Sequence, residues 1–304
     1  MPKKPNKKPR FIENPKPNAS IEKKYRQAML KQTKLMNKSL KWWLIASFKK
    51  NNAVAKLKKE FKKLSEYWEA NFSEFAKKTA EKFINSIQKN SDNLLKNKGL
   101  DFNKNKKSAL IHATIKARIN ENIALIKSIP KEQILRHESI LYNAISNFDG
   151  ENLTQTLEQI NQKLDIADKI SENRIKTIAR DQTKKATEAL SQARAQSSGF
   201  EYYIWITAND ERVSGNPNGK YPNVKGGHYH LDGRIYKYGE NTAIIDSYGN
   251  VGTCGERVNC RCTSGAVYLM PNETLELIKD SEHGDYYRII AKDTEANAEA
   301  EKEV

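Results

Sequence analysis

At Phe200 the spacing of apolar residues changes, and that change divides the chain in two. Upstream, apolar side chains recur at steps of three and four, the period of a helix with one buried face. Leu57, Phe61, Leu64, Trp68, Phe72 and Phe75 draw one such stripe, with Lys58, Lys59, Lys62 and Lys63 lying between them. Aromatics interleaved with lysines can stack on nucleic-acid bases, but a stripe at helical spacing is more often a seam between helices. The seam reading is preferred. Ile111, Ile115, Ile119, Ile123 and Ile126 predict a helix over 105–129 that stops before Pro130, since proline disfavours the helical conformation in the residue before it. A helix restarts over 131–146, the turn Asp149-Gly150 follows, and further helices cover 153–164 and 171–197, the last with Ser171 as its cap. Gly199 supplies the stop.

Downstream, Tyr202 to Thr207 is rich in β-branched and aromatic residues and predicts a strand. Turn residues follow at Asn209-Asp210, at 214–219 and at Gly226-Gly227. Short strands are expected over 235–238, 242–245 and 267–269, and one more helix over 272–288. The fold class is α+β: a long basic helical N-terminal region followed by a small β-rich C-terminal module. The expected divisions are a disordered basic arm (1–20), a helical region (21–170), the module (171–270), then a helix and acidic tail (271–304).

Charge separates the same two halves. Residues 1–130 carry 32 Lys and Arg against 10 Asp and Glu, a net of +22, which leaves −6 for the rest of a chain whose total is +16. The first half should be drawn to phosphate backbones or to an acidic protein surface. The arm combines Lys3, Lys4, Lys7, Lys8 and Arg10 with five prolines, so charge repulsion acts on a stretch with little to bury. No apolar run approaches the roughly 18 residues of a membrane span. Trp42 to Ala46 is cut off by Lys49 and Lys50, and the N-terminus lacks the apolar stretch of a signal peptide. A cytoplasmic origin is expected. All three cysteines fall between Cys254 and Cys262, which fits a reducing compartment and leaves a local turn or a metal site as options.

Four motifs occur in a fixed order: the helix Arg174 to Ala186; Tyr203-Ile204-Trp205 followed by Asp210-Glu211-Arg212-Val213; His228 to Tyr236, with Asp232-Gly233 inside it; and Gly255 to Thr263, closing on Asn259-Cys260-Arg261-Cys262. Together they resemble the phage Mu F-like minor head, or head morphogenesis, family. The likeness is close over about 90 residues and looser upstream, through Ile129-Pro130-Lys131-Glu132. It implies a virion component at the head interior or portal region, made in the host cytoplasm, with portal and other head proteins as partners and non-specific DNA as a further one. Many members carry a Cys-x-x-Cys after the Asp-x-Arg turn. Here residues 213–218 read Val-Ser-Gly-Asn-Pro-Asn, so a metal site shared with the family is in doubt.

Read from the residues, Asp210 and Arg212 form an acid–guanidinium pair that fixes a turn, in preference to a catalytic acid beside an anion clamp. His228, His230, Cys254, Cys260 and Cys262 are residue types that zinc takes. Cys-x-Cys is not the usual metal knuckle, and the preferred reading has His228 bonding the backbone and the cysteines packing as small apolar groups. No cofactor is expected, zinc being the lesser alternative. Trp205, Asp210, Arg212, His228, Asp232, Gly233, Asn259, Cys260, Arg261 and Cys262 are therefore taken as structural. A thiol nucleophile at Cys260 or Cys262 with His228 is formally available. The rival function is a metal-dependent nuclease using His228, His230 and Arg234. With no phosphate-binding Gly-rich loop, His-Glu-x-x-His or dinucleotide fingerprint, the chain reads as a binding protein rather than an enzyme.

Overall fold

The computed structural model describes residues 10–49, 54–97, 108–148, 151–224 and 226–292. They form two compact units: a helical one (18–90 and 115–186) and a sheet-bearing one (up to 17, 91–114, and from 187). The elements in chain order are β1 (Arg10–Glu13), α1 (Ala19–Lys49), α2 (Val54–Asn97), α3 (Ala109–Ser146), α4 (Leu153–Ser197), β2 (Tyr202–Ile206), β3 (Ile235–Lys237), β4 (Thr263–Tyr268), β5 (Glu273–Ile278) and β6 (Tyr286–Ala291).

In the helical unit, Asn18 caps α1, its side-chain oxygen accepting the backbone N–H groups of Ser20 and Ile21 at 2.9 and 3.2 Å. Met29, Met36, Leu40 and Leu44 then recur along a fully buried face. On α2 the stripe is indeed a seam: Leu57, Phe61, Trp68 and Phe72 are buried, while Lys58, Lys59, Lys62 and Lys63 are exposed. One chain of polar contacts links the helices. Tyr25 on α1 stacks on Phe83 of α2 at 3.9 Å and donates its hydroxyl to Asn122 of α3, which in turn donates to Gln182 of α4. All these groups are buried or nearly so, so their mutual satisfaction selects one arrangement of helix faces.

Two expected breaks are absent. Helix α3 runs through Pro130, and α4 runs through Ser171, which is buried in mid-helix rather than at a cap. Proline in a helix interior costs about 3 kcal/mol. Burial of Ile126, Ile129 and Ile134 around Pro130 offsets that cost.

A half-buried acid in this unit gives a test. Asp168 accepts a hydrogen bond from Gln133 at 2.9 Å and lies 3.7 Å from His137. Burial pushes its carboxyl up to about 6, helped by Asp165 and Glu172 and opposed by Lys41 and Gln133. Because the folded state holds this proton more tightly, the group's contribution to stability is full at acid pH and is lost as pH rises from about 4 through 6. Asp168→Asn should therefore match or exceed the wild type at pH 8, its advantage shrinking towards pH 4. Urea unfolding across that range checks it, and an Asn variant weaker at pH 8 would refute it.

The last helix ends where the sequence predicted. Gly199, at φ +88°, ends α4, with Phe200 N–H reaching back to Ala195 O at 3.1 Å. Six antiparallel strands follow in the order β1-β4-β2-β3-β6-β5. Alternation along β2 sends Tyr203 and Trp205 to one core, with Tyr236, Leu231, Ala243, Ile245, Cys254 and Cys262. Ile204 faces the other, with Ile235, Val267 and Ile289. The two edge strands approach through Arg10 and Glu273, 3.6 Å apart, so the sheet curls.

Three expectations change here. Residues 10–13, assigned to a disordered arm, form β1 against β4, with Arg10 opposite Tyr268 and Glu13 opposite Gly265. The helix expected over 272–288 is instead the hairpin β5–β6, paired from Glu273–Ala291 to Ile278–Tyr286. Residues 242–245 make only a single bridge, Ile244 to Val251. Residues 1–9, the turn Asp149-Gly150 and the acidic tail from 293 lie outside the described residues.

Candidate functional site

The motif residues gather around β2. Trp205 is fully buried at the middle of the sheet. Its backbone N–H donates to Arg234 O at 2.8 Å, and its carbonyl accepts from Gly233 N–H at 2.9 Å. Gly233 stands at φ +75°, a left-handed turn conformation that suits glycine. Beside it, the Asp232 carboxylate accepts both the backbone N–H (2.7 Å) and the hydroxyl (3.0 Å) of Thr207. The Asp-Gly pair thus closes the link from β2 to the His segment.

His228 opens a short 3-10 helix, His228–Leu231, and is 5% exposed. The turn before it is set by contact between two backbones: a Cβ on Gly227 would fall 2.6 Å from the Cα of Gly215. His228 Nε2 lies 3.1 Å from Ile245 O, a carbonyl that Arg257 also reaches at 3.1 Å. A carbonyl only accepts, so Nε2 carries the hydrogen and the lone pair of the neutral ring sits on Nδ1. That nitrogen faces both Cys260 Sγ and Cys262 Sγ, each at 3.4 Å. The Trp205 ring meets the imidazole edge-on at 5.3 Å.

The two cysteines point the same way because they are two apart, and Arg261 between them points the other. Its guanidinium grips both carboxylate oxygens of Asp210, whose carboxyl this bond holds below its ordinary range. This changes one expectation: the side chain paired with Asp210 is Arg261, while Arg212 hydrogen-bonds it through its backbone N–H at 2.9 Å. Asn259, at φ +63°, sets the bend that starts this stretch. A hydrogen bond from Cys262, aided by His228, holds the Cys260 thiol well below its usual value; the same bond and burial push Cys262 up.

Not every candidate converges. The His230 ring lies tilted against that of His283, 4.6 Å between centroids. Arg234 pairs with Asp280 at 2.7 Å and covers the Tyr286 ring at 4.4 Å. Cys254 is buried in the same apolar core but lies outside the compact set of His228, Cys260 and Cys262.

One central residue escaped sequence reasoning. Glu188 on α4 is 3% exposed, and its Oε1 accepts from Ser264 N–H (3.0 Å), the Ser264 hydroxyl, Asn14 (3.2 Å) and Gln192 (3.2 Å). A single carboxylate oxygen therefore joins α4, β4 and the segment after β1. Its only signal in sequence is its place among small residues, Ala186, Ala189 and Ala193, on a helix with little exposed face.

Fold and site together define a small α+β packing module in which most motif side chains hold turns. Residues 138–264, from within α3 to the start of β4, match the family described as Phage Mu protein F like protein. That stretch contains all four of the ordered motifs and is similar to that family. An uncharacterized protein of Haemophilus influenzae is 29% identical over 193 residues, 63% of this chain and 37% of the relative. The chain thus spans well under half of that relative's length. No solved structure matches it.

Proposed function

We propose that this chain is a phage minor head protein that works by binding, at the portal or capsid interior, during assembly and DNA delivery. The observation that carries this reading is the family match over 138–264, which coincides with the helix, strand and turns that the motif residues hold together. The proposed partners are portal protein, other head proteins and packaged DNA; the proposed place is the virion, after synthesis in the host cytoplasm. No described helix is long and apolar enough to cross a membrane. For DNA, the supporting feature is the exposed row Lys58, Lys59, Lys62 and Lys63 within a half of net charge +22. The rival nuclease reading needs His228, His230 and Arg234 on one phosphate, yet each is engaged with a different neighbour.

Mass spectrometry of purified procapsids and mature particles tests the main reading. The chain should be found in both, and absence from both would sink it. Particles made without it should still form heads but yield fewer infectious virions. DNA binding is tested on the full chain, because α3 and α4 both contribute to the helical unit. Affinity should be indifferent to sequence and fall steeply with salt, log K against log[salt] losing about 0.9 in slope for each phosphate contact removed. Lys58→Glu with Lys62→Glu should flatten that slope. Salt-independent binding would remove DNA from the list of partners.

A further inference from the structure

We propose that His228 Nδ1, Cys260 Sγ and Cys262 Sγ form a metal site that holds one zinc-class divalent ion. The three ligand atoms lie within 4.8 Å of one another, and both sulfur–nitrogen separations are 3.4 Å. Zinc bonds of about 2.3 Å to sulfur and 2.0–2.1 Å to nitrogen, at tetrahedral angles, put those atoms about 3.5 Å apart. The two nitrogen–sulfur edges already have nearly the length they take in a zinc tetrahedron.

Hydrogen bonding accounts for this convergence less well. With its hydrogen committed to Ile245 O, the neutral His228 ring has one lone pair, on Nδ1, and two thiols face it. One S–H can donate there, which leaves the other only its neighbouring sulfur, a weak acceptor. A cation between the three atoms satisfies all of them. It displaces one proton from each thiol, so a 2+ ion and two thiolates form a neutral unit with the neutral imidazole, and two protons pass to solvent.

The surroundings supply what such a site needs. The Nε2–H to carbonyl bond is the outer contact that fixes a metal-binding imidazole in tautomer and angle, and Arg257 holds the same carbonyl. Trp205 Nε1, buried and without an oxygen acceptor, faces Cys262, where a thiolate would receive its hydrogen. The Arg261–Asp210 grip keeps both cysteines turned towards His228. Two thiolates and an imidazole select zinc over magnesium or calcium. Water would complete the fourth position.

The test uses the full-length protein, purified under reducing conditions without chelator. Elemental analysis should find about one zinc per chain. Stripping and titrating with Co(II) should produce thiolate-to-cobalt charge-transfer absorption that saturates near one equivalent. Cys260→Ser, Cys262→Ser and His228→Ala should each cut metal content to near zero, whereas Cys254→Ser and His230→Ala should keep it. Circular dichroism at low temperature confirms that a variant is folded. Should a ligand variant unfold, the cobalt spectrum of the wild type decides alone. Absence of those bands would overturn the site, and metal lost from Cys254→Ser but kept in Cys260→Ser would overturn the ligand assignment.

Discussion

Trp205→Ala should destabilise the sheet unit by about 3–5 kcal/mol, the usual range for deleting a fully buried large aromatic. The side chain has no exposed surface, meets Tyr236 at 6.0 Å and His228 at 5.3 Å, and sits on β2, which has neighbours on both sides. The cavity would open beneath the strand that pairs with both β3 and β4, so the damage should be cooperative within this unit. Hydrogen exchange is the measurement that separates local from global loss. Amides of β2 and β4 should lose protection while the buried stretches of α1 and α2 keep it. Trp205→Phe should recover most of the loss. Unchanged protection in the Ala variant would show that this ring is not the centre of the core.

Glu188→Ala should have an effect of the same order for a different reason. No large void opens; instead Ser264 N–H, the Ser264 hydroxyl and the amides of Asn14 and Gln192 lose a shared acceptor inside the protein. A buried polar group left unsatisfied costs about 1–3 kcal/mol, and while Asn14 keeps the Ser264 oxygen and Gln192 keeps Cys254 O as acceptors, the two Ser264 donors lose theirs. A fall of roughly 2–5 kcal/mol is expected from those two donors. Glu188→Gln should be milder, since its carbonyl oxygen can stay in place and only the charge is lost. Glu188→Asp, one methylene short, should resemble Ala. Urea midpoints for the three variants give the order, and an Ala variant as stable as wild type would show that the donors have other partners.

How far the sequence reached depended on the range of the interaction. The break at Phe200, the Gly199 stop and the β2 strand were legible because period and turn chemistry are local. The helical seam was legible for the same reason. Pro130 and Ser171 were misread as boundaries because burial on both sides of each overrides a local preference. Residues 273–278 contain Leu275, Leu277 and Ile278, a short apolar set compatible with either a helix or a strand, and only pairing with 286–291 decides. Arg10 to Glu13 is four residues among prolines, a strand only because β4 offers it an edge. At the site, the residue types were visible but the partnerships were not. Asp210 passes over Arg212, two residues away, to take Arg261, 51 residues on, and His228 meets thiols 32 and 34 residues later.

The pairing of β1 with β4 bears on how this protein comes to be made. Arg10 leaves the ribosome early, yet its partner Tyr268 is translated only after every helix and three of the sheet's strands. β1 must wait for β4, which itself has β2 already present to pair with. A protein cut to the family-matched stretch, 138–264, would never close that gap: it lacks β1, β5, β6 and most of β4. Its β2 would then present a row of unpaired backbone N–H and C=O groups to any copy it met. Excision should therefore convert a well-behaved module into a self-associating one, because β4, the strand that covers β2 in the full chain, is lost.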